Sequence, residues 1–424
     1  MIAAASESGT RAFLSVHGDE DAEARLAEST FWIWLVPRAL VTRRTGRAWS
    51  RIVQRGDFHM QSDSRNAAVR NHFVDGVQRY QWMGSPLYSA FCRRIVDDTD
   101  LLALAGEARP GQPFTYPLLG AAHMLVLGGA DTPLADYYAS VARTPKQDAD
   151  GAFQAFRTFC LDRRGDLLAI MKERTVQLTF VGRAAFVLPA LAYVARLAGE
   201  PLSFIDVGCS AGLLTMFTSY SYDYGPGRRI GSAADLALAP FRFEGPPPDF
   251  LTGIPKLGPV VGIDLNPVSA ADPIERRWIE ALYAPDMVEE RRRLRAALDL
   301  RARTPLTVLK GDASILLPDL LATMPDPICV LAAHCLYQWP GEARDALDRA
   351  FRQASRRRRL YLVTFDHPAG IDPSLARQSE GGAAAEMPLG HEAVLTVYDN
   401  EASEQTLIGR YDGYGRRGEW LAKS

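Results

Sequence analysis

Apolar and polar positions alternate with one period in the first half of the chain and another in the second. From Ser62 to about Arg174 apolar residues recur at helical spacing, with Val69, Phe73, Val77 and Tyr80 in one stripe and Leu87, Phe91 and Ile95 in the next. Gly84 breaks the two apart, and Ser85-Pro86 supplies an N-cap followed by proline at the first helical position. Pro117 to Leu127 is apolar nearly all round, which predicts a buried helix ended by Gly128-Gly129, with His123 inside it as a hydrogen-bonded core histidine. Val181 to Leu197, striped by Ala185, Leu188, Leu191 and Val194, predicts a helix that stops at Gly199.

Beyond Pro201 the period shortens. Leu202–Val207, Val260–Asp264, Leu306–Lys310, Ile328–Ala333 and Leu360–Phe365 read as strands. Helical stripes separate them, notably Asp286–Arg303, and Ala343, Leu347, Phe351 and Ala354 after Pro340. Strands alternating with helices predict a parallel sheet. Ala393–Tyr398 and Thr406–Tyr411 read as an antiparallel pair closing it. The expected architecture is therefore α/β. Residues 1–60 are an irregular extension, 61–174 a helical cap domain, and 175–424 a Rossmann-like domain with an insertion at about 220–258. Residues 1–59 mix Trp32, Trp34 and Trp49 with scattered arginine and show no sustained period, which suggests a start of translation at Met60.

Composition narrows the function classes. A net charge of −2 argues against nucleic acid as the main partner. Lysine occurs only at positions 146, 172, 256, 310 and 423, so basic charge is carried by arginine. No apolar run approaches the roughly 18 residues needed to cross a membrane. The five cysteines form no C-x-x-C pair, so no zinc or redox motif is expected, and a reduced, cytoplasmic protein is. The Arg291-Arg-Arg293 run reads as a solvated helix face.

The densest chemistry lies in Phe204-Ile-Asp-Val-Gly-Cys-Ser-Ala-Gly-Leu-Leu214, a buried strand that breaks into small residues. Leu213, Leu214, Met216 and Phe217 suit a helix beyond the turn. Small residues admit a ligand close to the backbone, and a helix N-terminus would present free N–H groups to it. A dinucleotide fingerprint needs a third spaced glycine, and position 213 is Leu. Asp206, two residues before Gly208, suits an ammonium group instead. The pattern carboxylate–Val–Gly–x–Ser–x–Gly resembles motif I of class I S-adenosylmethionine (SAM)-dependent methyltransferases. A bare tight turn with no ligand is the competing reading, and Cys209 reads as a small residue filling the bend.

Other candidates cluster at strand ends, where such sheets bind ligands. Asp264, with Leu265-Asn266-Pro267 after it, is placed to accept both ribose hydroxyls or to cap the next helix. Arg183 either grips a carboxylate or is solvated. His334 is the best-placed general base, or else a backbone-bonded support, and Tyr337 would assist or stack. Tyr220, Tyr222 and Tyr224 either wall a substrate pocket or pack on the domain; Asp366 and His367 are weaker candidates.

Together Gly84-Ser-Pro-Leu-Tyr88, Val207-Gly-Cys-Ser-Ala-Gly-Leu213, Tyr220-Ser-Tyr-Asp-Tyr-Gly225, Gly262-Ile-Asp-Leu-Asn-Pro267, Arg277-Trp278, Gly311-Asp-Ala313, His334 with Tyr337, and Gly418-Glu-Trp-Leu421 identify a resemblance. From about Phe73 to Leu421 the chain resembles a bacterial domain-of-unknown-function family (number 2332) within the class I methyltransferase fold. Two positions depart from that family's pattern, Cys209 where Ala is usual and Leu214 where Asn is usual. The resemblance implies SAM as cofactor. Gly208, Ser210 and Gly212 would cradle it, Asp206 and Arg183 would face its amino-acid end, Asp264 and Leu265 its ribose, and Asp312 with Ala313 its adenine. His334 and Tyr337 would serve a small-molecule oxygen or nitrogen acceptor, with no membrane or nucleic-acid partner and no metal. A non-catalytic SAM- or nucleotide-binding protein and a nicotinamide-dependent oxidoreductase are the alternatives.

Overall fold

The structure, a computed structural model, describes residues 57–232, 234–366 and 389–423, with side chains from residue 65 onward. Residues 1–56 of the expected N-terminal extension, and His367, lie outside the described residues. Arg65–Ser424 forms one compact unit.

The first helix, Asp57–Met83, begins a turn earlier than the apolar pattern alone suggests. Gly84 ends it with φ +86°, and Pro86–Ile95 comes next with Ser85 as N-cap and proline at its start. The helices Thr99–Gly106, Thr115–Leu127, Ala149–Asp162 and Arg164–Glu173 complete this layer. The buried apolar helix predicted at 117–127 is Thr115–Leu127. His123 is fully buried in it; Nδ1 bonds to the carbonyls of Ala281 and Tyr283, and Nε2 to Ser140. Burial, and then the nearby Arg291, lower its pKa to about 3, so the ring is a neutral strut between this layer and the chain after Pro273–Ala281.

The sheet is mixed, large and mostly parallel. β1 (Leu202–Val207), β6 (Leu257–Asp264), β7 (Thr307–Lys310), β8 (Ile328–Ala333) and β9 (Leu360–Asp366) are parallel. They lie in the order β7-β6-β1-β8-β9, so the chain starts in the middle and reverses direction of travel between β1 and β8. The antiparallel pair expected at the end is β10 (His391–Asp399) and β11 (Ala402–Tyr411). β10 adds directly to β9, and β12 (Arg417–Trp420) and the short β5 (Arg242–Phe243) extend that edge. The insertion near 220–258 contains β2 (Tyr220–Asp223), β3 (Arg229–Ile230) and β4 (Leu236–Ala237), which form a separate three-stranded sheet, and then β5.

β1 is buried along its whole length, as expected of a central parallel strand covered on both faces. Its side chains alternate. Leu202 and Phe204 join the core shared with the first layer of helices, whereas Ile205 and Val207 join one built with Ala313–Thr323 and Gly341–Ser355. Asp206 has the parity of Leu202 and Phe204. Among the described residues the stretch Val181–Ala198 has the length and mean hydropathy to cross a membrane, although the sequence shows no unbroken apolar run of that length; 61% of it is buried inside the protein. Phe186 in it stacks on Tyr411 and Phe241, which accounts for its apolar character as core.

A polar clasp ties the first helices to the turn before the helix Val288–Arg303. Ser85 Oγ accepts from the Tyr88 N–H and donates to Asp286 Oδ1 at 2.6 Å, and Asp286 Oδ2 accepts from the Leu87 N–H. Ser85→Ala is expected to cost about 2 kcal/mol, because it removes a cap and strips one partner from a half-buried carboxylate. A fall in denaturant midpoint with unchanged slope would verify this; an unchanged midpoint would show the clasp contributes nothing. The Arg291 run does not form a wholly solvated face. Arg291 is 3% exposed and paired with Glu280, because its helix, Val288–Arg303, turns that position into the core.

Candidate functional site

The turn after β1 differs from the sequence expectation. No α-helix succeeds it: residues 210–216 are turns, leading into one 3-10 turn, Phe217–Ser219, and then β2. Three left-handed residues explain this. Gly208 (φ +74°), Ser210 (φ +53°) and Gly212 (φ +77°) break helical continuity before Leu213. A Cβ at Gly208 would sit 2.7 Å from the Cβ of Cys335, and one at Gly212 2.5 Å from Leu306 Cδ2, so both glycines are also required by space. The helix dipole anticipated at this point is therefore absent.

Much of the turn's backbone is committed to the protein. The N–H groups of Gly208 and Cys209 donate to the Ile263 carbonyl, and that of Gly212 to Cys209. The Ser210 N–H donates to Asp264 Oδ2 at 2.7 Å. Asp264 Oδ1 accepts from the Asn266 N–H at 2.7 Å and from Gln177 at 3.3 Å. Asp264, buried at the end of β6, thus holds the turn after β1 in place; Oδ1 already accepts two hydrogen bonds and Oδ2, with one, keeps further acceptor capacity.

Asp206 is different. It is buried, and among the described residues the one hydrogen bond to its side chain comes from Thr215 Oγ1 at 2.6 Å. Burial, opposed by Thr215 and reinforced by the Asp264 charge, raises its pKa to about 7. Close by in the turn, the buried Ser210 hydroxyl has no hydrogen-bond partner among the described residues. A buried acid and an unpartnered hydroxyl on the same turn form an under-satisfied polar pair, suited to a cationic donor. Cys209 Sγ fills the space left open by Gly262, and Cys335 Sγ meets the Val207 carbonyl at 3.2 Å. Burial raises both thiols, so they are neutral packing groups.

His334 lies across the reversal point, just after β8. Its backbone is left-handed (φ +56°), its N–H donates to the Phe365 carbonyl at 2.7 Å, and its Nε2 bonds to the Tyr411 hydroxyl. The His391 ring is 5.1 Å away. Tyr337 is 41% exposed; its N–H donates to Asp366 Oδ2 and its hydroxyl accepts from Gln338.

The remaining predicted residues are dispersed. Leu265, beyond Asp264, is 63% exposed. Asp312 caps Ala313–Thr323 through Ser314, and Ala313 is buried at that helix start. Arg183 is not solvated: Nε donates to the Gly413 carbonyl at 2.6 Å and the guanidinium lies over Phe180. Tyr220, Tyr222 and Tyr224 do not wall a pocket. All three are buried and donate to the carbonyls of Leu213, Phe217 and Ala185. The structure thus brings Asp206, Gly208, Ser210, Gly212 and Asp264 together at the end of β1, His334 and Tyr337 at the end of β8, and Asp312 and Ala313 beyond β7.

Sequence reasoning missed Thr215, Tyr411, His391 and Gln177. Thr215 carried a faint signal, as a lone polar residue within Leu213–Phe217. Tyr411 and His391 carried none. They face each other across β10 and β11 and reach His334 only because that pair adds to β9.

Residues 70–420 match the model of a family described as an uncharacterized protein conserved in bacteria, domain-of-unknown-function family 2332. The chain belongs to that family. No curated protein matches the chain.

Proposed function

We propose that this chain is a cytoplasmic SAM-dependent methyltransferase with a Rossmann-like sheet, acting on a small-molecule oxygen or nitrogen acceptor. One observation carries the reading. The glycine turn after the first strand holds a buried, under-partnered acid, Asp206, beside the unpartnered Ser210 hydroxyl, at the point where the strand order reverses. Open α/β sheets bind ligands there, outside the strand ends. The residues fit SAM at its amino-acid end: Asp206 would meet the ammonium, and Gly208, Ser210 and Gly212 would line its approach. Asp264 and Leu265 would hold the ribose, and Asp312 with Ala313 the adenine. Arg183, committed to Gly413, fits a positioning role better than carboxylate binding.

Bound SAM supplies an electrophilic methyl group on a sulfonium. The protein's own work is to align the acceptor and take its proton. For His334 to take that proton at Nδ1, Nε2 must carry the other proton and donate it to the Tyr411 oxygen. Tyr411 therefore selects the tautomer. The same bond favours a second reading, a SAM-binding protein without turnover, if Tyr411 donates to Nε2 instead. The missing helix after the turn weighs against a nicotinamide-dependent oxidoreductase, which needs a helix N-terminus for the pyrophosphate.

The first measurement is calorimetry with SAM and S-adenosylhomocysteine. Micromolar binding of both is expected, with a thermal shift corresponding to about 2.7 kcal/mol at a hundredfold excess over Kd. A folded protein that binds neither would overturn the reading.

A further inference from the structure

We infer that the acceptor carries an anionic oxyacid group, a carboxylate in the first instance, and that Arg79 receives it. The inference rests on the methyltransferase reading for the acceptor's role, and on the arrangement of charged and aromatic side chains around Arg79 for the anion site.

Tyr414, on the turn after β11, is flanked by Tyr116 and by three arginines, Arg79, Arg183 and Arg416, each close enough to act on its phenol. Two of the three are committed. Arg183 donates to the Gly413 carbonyl and, at 3.5 Å, to that of Leu178. Arg416 donates to the carbonyls of Trp82 and Met83, at 2.8 Å each, and pairs with Glu290. Arg79 differs: among the described residues it makes no hydrogen bond and no ion pair. Asp75, one turn earlier on its helix, bears on it electrostatically without forming a salt bridge. The guanidinium of Arg79, partly buried, is 6.0 Å from the centre of the Tyr116 ring.

A guanidinium has five donors. Holding it partly out of water against an aromatic ring, with none of the five paired among the described residues, suits a planar anion bound through two parallel hydrogen bonds. Its neighbours favour the same occupant. Arg416 neutralises the last carbonyls of the helix Asp57–Met83, which would otherwise repel an anion there. Tyr116 also acts on the phenol of Tyr337, three residues past His334. Tyr116 thus stands under the Arg79 guanidinium and within electrostatic reach of Tyr337, which sets this cation on the side of the molecule that carries the end of β8. This gives the helical layer a direct part in acceptor recognition.

The test uses the full chain saturated with S-adenosylhomocysteine. Calorimetry compares acetate, benzoate and 4-hydroxybenzoate with acetamide, benzamide and 4-hydroxybenzamide. At least one carboxylate should bind about tenfold or more tightly than its amide, the range expected for a charge-assisted pair. Arg79→Gln should erase that preference and leave S-adenosylhomocysteine affinity and melting temperature unchanged. Arg79→Lys, which keeps the charge and loses the fork, should give an intermediate preference and serves as the comparison if the glutamine variant is unstable. Failure of every carboxylate to outbind its amide, or a preference that survives Arg79→Gln, would overturn the proposal. Failure of S-adenosylhomocysteine to bind would sink the methyltransferase reading alone, since the carboxylate preference can be measured without it.

Discussion

Replacing His334 with asparagine is expected to lower methyl transfer about a thousandfold while leaving SAM affinity nearly unchanged. The size comes from losing a general base, which contributes typically about 10²–10⁴. Asparagine is the informative substitution because His334 has a left-handed backbone, which asparagine tolerates better than alanine. The loss can then be assigned to the imidazole. Tyr411→Phe should cause a smaller fall and displace the pH profile, since it frees Nε2 from the partner that sets the tautomer. The assay traces a labelled methyl group from SAM into a bacterial small-molecule extract. Undiminished transfer in the asparagine variant would remove His334 from the chemistry; no transfer by the parent chain, with SAM bound, would favour the non-catalytic reading.

Asp206→Asn is expected to separate stability from binding. In the folded chain burial raises the Asp206 pKa from 3.8 to about 7. The folded state therefore holds a proton that the unfolded state releases between those values. Stability from this group is fully present below about pH 4, falls as pH rises, and is lost once pH passes 7. At pH 8 the carboxylate is charged and buried with Thr215 as its hydrogen-bond partner. Asparagine keeps an oxygen for Thr215 and carries no charge, so the variant should be more stable than the parent at pH 8 by roughly 2–4 kcal/mol and nearly equal at pH 4. SAM binding should respond in the opposite sense. An ammonium favours the ionised acid, so the parent's affinity should rise from pH 5 to 7 and then level off, whereas the variant should be pH-independent and about a hundredfold weaker. Denaturant melts and calorimetry at the same pH values check both halves. A variant that is stabilised yet binds SAM normally would leave Asp206 a burial defect with no ligand.

Much of this was legible in the sequence because it depends on local rules. Short apolar runs bounded by turn residues located the five parallel strands and the antiparallel pair, and a longer stretch apolar nearly all round located the buried helix at Thr115–Leu127. Ser85-Pro86 marked a helix start, since capping is decided within four residues. The glycine turn with Asp206 was visible for the same reason: a strand end, small residues and an acid are contiguous. The apolar stretch Leu213–Phe217 misled, because its composition suits a helix while the left-handed backbone of Ser210 and Gly212 forbids one. Composition registers burial, and here burial came without helix.

Tertiary structure alone decided what the polar groups do. Asp264 was visible as a strand-end acid, but its grip on the Ser210 N–H spans 54 residues. Tyr411 reaches His334 across 77, and Arg416 reaches Met83 across 333. Such pairings depend on sheet order and on which face a residue takes. Hydrophobic periodicity fixes the face and leaves the order to the packing of the whole chain. The chemistry of an arginine likewise depends on its partners. Arg79, Arg183 and Arg416 are equivalent letters in the sequence, and only the fold hydrogen-bonds two of them to carbonyls and, among the described residues, sets the third against an aromatic ring with no hydrogen bond.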